Sequence, residues 1–201
     1  MKSIICVALV LAISGTACLN AAEKKNSEKK GAKKGGKKIK KTVVIGSLAP
    51  EFKVKTTDGK IIDLAKLTAK GPVLVRLTCG CKGCDRELAY FQALHRAYKG
   101  KGLTSLAIFR ESDAKVEKYV KQKKLNMLYA VDPKGKSWKI FQTTRMPTNF
   151  LIEKGGRIIS IAEGCEPSGL VANILSKKVA RLLKIPAVDV QKNVKDKSKN
   201  K

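Results

Sequence analysis

The sequence predicts an α/β fold, a three-layer sandwich built on a mixed β-sheet. Three observations predict it. Short apolar runs alternate with helical patterns from Val73 to Val131, and a hairpin pattern and an amphipathic helix follow them. A Cys81-Lys82-Gly83-Cys84 segment stands where the first long apolar run meets the first long helical pattern. With 201 residues the chain is long enough for one domain with a substantial core plus tails.

The elements follow in order. Phe52-Lys53-Val54 alternates as a short strand, and Thr57-Asp58-Gly59-Lys60 turns into Ile61-Ile62. Gly71-Pro72 punctuates the chain before 73–77, an apolar run that reads as a buried central strand. Residues 85–98 form a helix whose stripe is Leu88, Phe91, Leu94 and Tyr98, and Gly100 and Gly102 end it. Residues 103–109 give the next strand, 113–124 a helix on Val116, Tyr119 and Val120, and 127–131 a further strand. Asp132-Pro133-Lys134-Gly135 is a turn before a short helical or irregular piece at 138–141. Segments 149–153 and 157–162, split by Gly155-Gly156, read as a hairpin that supplies antiparallel edge strands. The last helix, 168–183, opens on Ser168 as a candidate cap and carries Leu170, Ile174, Leu175, Val179 and Leu182 on one face. Ile185-Pro186 is read as the end of structure.

The flanks are of another composition. Residues 1–22 read as a signal peptide. Lys2 provides a positive start, an apolar run covers 4–13, and small residues at 14–17 and Ala21-Ala22 offer cleavage sites. Gly15-Thr16-Ala17-Cys18 loosely resembles a lipobox, so Cys18 is a candidate lipidation point and an uncleaved anchor is the third reading. Residues 23–42 hold ten lysines against two glutamates and no large apolar side chain before Ile39, the composition of a disordered basic linker. Residues 43–185 are the folded domain and 186–201 a second basic tail. The net charge of +27 is shared, with 26 basic against 12 acidic residues still inside 43–183. Such a field draws anionic surfaces, so the tails are read either as contacts to an anionic membrane or as plain solvated spacers. Export and the lack of interleaved aromatics argue against a specific nucleic acid partner.

The chemistry rests on the cysteines. A Cys-x-x-Cys on the first turn of a helix supplies an exposed thiol favoured as thiolate by the helix amides, with a second thiol one turn deeper to resolve a mixed disulfide. Cys81 is read as the exposed, lower-pKa member beside Lys82, and Cys84 as the shielded one. A structural disulfide is a weaker reading, because so small a loop closes little chain entropy. A tetrahedral metal site would have to draw on Cys79, His95 or Cys165 as well, and His95 lies about three helical turns beyond Cys84. No cofactor and no metal enter the leading reading.

From Gly46 to about Leu183 the chain resembles the thioredoxin-like superfamily, nearest to exported TlpA/ResA-type thiol–disulfide oxidoreductases, in the broad group that includes AhpC/TSA peroxiredoxins. The residues that carry the resemblance are Gly46-Ser47-Leu48-Ala49-Pro50-Glu51-Phe52, Asp58-Gly59-Lys60, the segment from Cys81 to Leu88, Pro147-Thr148-Asn149-Phe150-Leu151-Ile152 and Gly156-Arg157-Ile158. The resemblance implies a thioredoxin-like fold and activity on the thiols and disulfides of exported proteins, with an upstream redox donor protein as partner. It places the nucleophile at Cys81, the resolving cysteine at Cys84, a cis-proline at Pro147 and a tuning carboxylate at Glu87. An exported, periplasmic or extracytoplasmic location follows from the same resemblance and from the signal.

The chain departs from that pattern just before the nucleophile, in two residues. Gly80 stands where the family has Trp before the nucleophile, and an extra cysteine, Cys79, lies two residues upstream of Cys81. Cys79 is a core thiol, a second resolving thiol or a metal ligand; Cys165 is free, buried or paired with Cys79. Two other functions compete. A thiol peroxidase would use Thr78 before Cys81 and Arg145 to polarise the peroxide. A copper-handling module would use Cys79, Cys81 and Cys84 as soft ligands.

Overall fold

The structure, a computed structural model, describes residues 42–199, with side chains as far as Asp196. The segment read as a signal peptide at 1–22, with Cys18, and the segment read as a linker up to residue 41 lie outside the described residues. The order is β1 (Lys53–Lys55), β2 (Ile61–Asp63), α1 (Leu64–Lys70), β3 (Val73–Thr78), α2 (Lys82–Tyr98), β4 (Thr104–Phe109), α3 (Asp113–Lys123), β5 (Leu128–Val131), α4 (Lys136–Ile140), β6 (Thr148–Ile152), β7 (Ile158–Glu163), α5 (Leu170–Leu183) and α6 (Val190–Lys199).

The main sheet runs β5-β4-β3-β6-β7, and β1 and β2 make a separate antiparallel pair. β3 lies parallel to β4 in the register Val73↔Thr104 to Thr78↔Phe109, and β4 is parallel to β5. On its other side β3 runs antiparallel to β6, which pairs with β7 as the expected hairpin. This is the α/β thioredoxin-like fold with a mixed sheet.

Every residue of β3 is buried, which is why its sequence reads as an unbroken apolar run rather than an alternating one. Its side chains still alternate between two cores. Leu74 joins Phe91, Leu94, Tyr98, Leu175 and Val179 beneath α2 and α5. Val73, Val75 and Leu77 join Phe52, Trp138, Phe141 and Phe150 on the opposite face. Alternation puts Arg76 on the α2 face, and there it becomes part of the site.

Two elements differ from the sequence expectation. α1 has seven residues and only Leu64 and Thr68 buried, too short for a periodic pattern to stand out. Asp63 caps it by accepting from the Ala65 amide at 3.0 Å. The second difference corrects the reading of 186–201 as a tail beyond the end of structure, because α6 forms there. Val190 is 1 % exposed, its amide donates to Asn173 Oδ1 at 3.2 Å, and the Val188 amide donates to Tyr98 Oη at 2.9 Å. A few apolar anchors fix a segment whose remaining residues are mostly charged or polar, so composition alone hides it. α5 itself starts at Leu170, two residues after the Ser168 candidate cap, and the Leu170 amide donates to the Glu166 carboxylate at 2.8 Å and to Ser168 Oγ at 3.3 Å.

Candidate active site

β3 delivers Cys79 at its end, and α2 begins three residues later. Cys81 is the N-cap of α2 in extended conformation (φ −81°, ψ 158°), and its side chain makes no capping hydrogen bond. The helix therefore opens with first-turn amides that have no intrahelical partner, facing the cysteine segment. Cys81 is exposed and Cys84, in the first turn, is buried. Those are the exposures that the sequence assigned to the two.

The disulfide joins Cys79 to Cys81, Cys84 is a free thiol, and its Sγ lies 3.3 Å from Cys79 Sγ. All three sulfurs lie within 4.8 Å of one another. In reduced form the same set is a three-thiolate donor for a soft ion such as Cu(I). His95 is not among them; it is buried far along α2. Cys165 is exposed and unpaired, and donates its S–H to the Gly83 carbonyl at 2.9 Å. Burial first, then the charges of Glu87 and Cys84, push its thiol above the usual range.

Beneath the thiols lies a buried polar floor. Arg76 and Glu87 form an ion pair at 2.8 Å with both side chains at most 4 % exposed. Arg76 also donates to Asn149 Oδ1 at 2.9 Å and to the Cys84 carbonyl at 3.3 Å, and its guanidinium stacks 4.2 Å from the Phe91 ring centroid. Glu87 accepts a further bond from the Glu166 amide at 2.8 Å. Each charge is thus satisfied by several partners, which a buried pair requires. Sequence reasoning missed Arg76, although one signal existed: a lone cation inside Val73-Leu74-Val75-Arg76-Leu77 must find a buried partner.

The rim was also missed. Tyr119 donates to Asp85 Oδ1 at 2.9 Å, and Lys123 pairs with the other carboxylate oxygen at 2.6 Å. Burial and the Asp85 carboxylate push the Tyr119 hydroxyl far above its ordinary range. The Tyr119 ring leans on Gly80 so closely that a Cβ there would come within 3.3 Å of it. The Gly80 amide donates to Glu111 at 3.1 Å. Gly80, Cys81, Glu111, Val116, Tyr119 and Gln122 border a cleft of about 330 Å³ beside the exposed sulfur.

The Met146–Pro147 peptide bond is cis, and β6 begins at Thr148, paired with Leu77 near the end of β3. The residues named for a peroxidase are occupied otherwise. Arg145 is largely exposed with its Nε 3.7 Å from Glu163, and Thr78 Oγ1 donates to the Cys79 carbonyl at 3.3 Å.

Residues 45–161 match the sequence profile of the AhpC/TSA family. The thiol–disulfide oxidoreductase ResA of Bacillus thuringiensis subsp. konkukian is 34% identical over 134 residues, 66% of this chain and 78% of that protein. ResA of Geobacillus thermodenitrificans is 30% identical over 126 residues, 62% and 72% of the two chains. Among solved structures, a thiol:disulfide interchange protein from Bacteroides sp. superposes with a TM-score of 0.59 at 22% identity, covering 68% of this chain and 91% of that one. The chain belongs to the AhpC/TSA family of the thioredoxin-like superfamily, with homology to the ResA-type thiol–disulfide oxidoreductases.

Proposed function

We propose that this protein is a thiol–disulfide oxidoreductase in which Cys81 is the nucleophile and Cys84 the resolving thiol, acting on thiols of exported proteins. The observation that carries this is the pairing of exposures. An exposed cysteine at the open amino terminus of α2 stands within a three-sulfur cluster whose innermost member is buried. Helix amides favour the thiolate at Cys81, which attacks a substrate disulfide; Cys84 then displaces the substrate thiol, leaving the protein oxidised and the substrate reduced. The same steps run backwards for oxidation, and a donor protein resets the pair.

Pro147 and Glu87 complete the set. The cis peptide offers its backbone to a bound chain beside the thiols, and the cleft edged by Gly80 and Tyr119 receives the residues flanking the target cysteine. Glu87, held by Arg76, sets the electrostatics under Cys84. The location is exported, with residues 1–22 as signal, Cys18 as a candidate lipid attachment point and 23–42 as a basic linker to an anionic membrane face. The ResA homology of the domain supports the exported reading.

The test is a redox titration of the chain from residue 23 onward in graded thiol/disulfide buffers, with thiols counted by mass. Reversible loss of two thiols from the cluster is expected, together with insulin-disulfide reduction that Cys81→Ser abolishes. Cys81→Ser retaining full activity overturns the assignment. Rapid sulfenic acid formation with peroxide points instead to a peroxidase, and stoichiometric Cu(I) on the purified protein to metal handling.

A further inference from the structure

Two cysteines suffice for the reaction above, yet three sulfurs converge. The disulfide joins the first two, Cys79 and Cys81, while the free third, Cys84, has its Sγ 3.3 Å from Cys79 Sγ. Cys84 is 4 % exposed, so an external disulfide has little access to it while Cys79 is in contact. Cys79 is half-buried and Cys81 exposed, which makes the three a graded series from core to solvent.

We propose that Cys79 is a third redox cysteine, and that the protein's disulfide migrates inward through it. This rests on the reading of Cys81 as the nucleophile. The Cys84 thiolate attacks Cys79 Sγ, the Cys79–Cys81 bond breaks, a Cys79–Cys84 bond forms, and Cys81 leaves as thiolate. The proton lost by Cys84 ends on Cys81 or in solvent. Cys84 rises from the thiolate to the disulfide oxidation level as Cys81 falls by the same step, so no external oxidant is consumed. The products favour this direction for two physical reasons: the charge moves from a buried sulfur to an exposed one, and it arrives at the open helix amides.

The consequence is an activity that an oxidised two-cysteine site does not have. A site with only Cys81 and Cys84 has no free thiol once oxidised. Here the oxidised protein keeps an exposed Cys81 thiolate with its disulfide stored beneath. Cys81 can attack a substrate disulfide to form a mixed disulfide and release one substrate thiol. A different substrate thiol then attacks the mixed disulfide and frees Cys81. The substrate's pairing changes with no net redox change, which is disulfide isomerisation.

The sequence allows a direct readout, because trypsin cuts after Arg76, Lys82 and Arg86. Cys79 and Cys81 then lie together in 77–82, and Cys84 lies alone in 83–86. A Cys165→Ser variant, otherwise unchanged, is oxidised, alkylated with iodoacetamide, quenched in acid and digested. The expected product is 77–82 linked to 83–86 through Cys79–Cys84, with the alkyl group on Cys81. In parallel, the oxidised protein without reductant should reactivate scrambled ribonuclease. Cys79→Ser should lose that reactivation, whereas Cys165→Ser should keep it. Alkylation of Cys84 in separate peptides means the disulfide stays at Cys79–Cys81. Alkylation of Cys79 means that Cys81 pairs with Cys84 and Cys79 stands aside. Either result overturns the relay and leaves the oxidoreductase intact. Failure of Cys81→Ser to affect insulin reduction would instead remove the nucleophile on which both proposals stand.

Discussion

The two ends of α2 are built in opposite ways. At its amino end the N-cap side chain makes no hydrogen bond, a disulfide and a free thiol crowd together, and a buried ion pair lies underneath. At its carboxyl end Tyr98 is fully buried, its hydroxyl lies 2.8 Å from Ser176 Oγ and accepts from the Val188 amide, and Ser176 donates to the Val188 carbonyl at 2.6 Å. The contrast teaches a division of labour along one helix. Open hydrogen-bonding capacity at one end is what a reacting thiolate uses, and closed capacity at the other holds the helix rigid enough to present it.

The largest expected effect lies under the reactive end. Replacing Arg76 by Met leaves Glu87 buried without its counter-charge and should destabilise the fold by about 3–5 kcal/mol. Denaturant unfolding of the variant checks this. Arg76→Met combined with Glu87→Leu removes both charges and should recover most of the loss. If the double variant is as unstable as the single one, the pair's importance lies in its bonds to Asn149 and the Cys84 carbonyl rather than in charge compensation.

At the anchoring end the expected effect is smaller and should leave the chemistry alone. Tyr98→Phe keeps the ring but strips the Val188 amide and Ser176 of a buried partner, at a cost of about 1–3 kcal/mol. For a domain of this size that lowers Tm by roughly 2–4 °C per kcal/mol. Insulin reduction per folded molecule should be unchanged. A large fall in turnover with an unchanged Tm would break the division between the two ends.

What the sequence made legible divides along the same line. The reactive end announces itself through Cys81 and Cys84 at a strand–helix junction, because thiol chemistry demands few residue types at a fixed spacing. The sheet was legible too, since β3, β4 and β6 are apolar runs with punctuation on both sides. The anchoring end was not. α6 is attached by Val188 and Val190 within a stretch dominated by lysine, and its buried polar partners, Asn173, Ser176 and Tyr98, are scattered over other helices. Arg76 and Cys79 were visible as residues, but their partners are set by sheet register and by which face of β3 meets α2. Local pattern does not encode that, nor that the disulfide joins Cys79 to Cys81 and leaves Cys84 a free thiol beside it.

The smallest effect, and the one that separates the ends by pH, is at His95. It sits one turn before Tyr98, 8 % exposed, and its Nδ1 has no hydrogen-bond partner among the described residues. Burial lowers its pKa from the ordinary 6.5, the nearby Lys99 and Arg96 charges add to that, and a hydrogen bond to the Asn126 backbone partly offsets them. Because the folded protein holds this imidazole neutral where the unfolded chain protonates it, the unfolded state binds more protons just below pH 6.5. Stability contributed by the neutral ring is therefore complete above about pH 6.5 and declines as the pH falls toward the lowered folded value. Melting curves between pH 7.5 and 5 should show Tm falling on acidification, with a shallower fall in His95→Gln. The thiols lie at the other end of the helix, so the variant's insulin reduction should follow the wild-type pH profile. Equal slopes for the two proteins would assign the acid sensitivity to carboxylates, of which Asp58, held down to about 2 by Lys60 and Thr56, loses its contribution only from pH 3.8 downward. A shifted activity profile would mean that the far end of α2 communicates with the reactive one, and the division of labour along the helix would have to be given up.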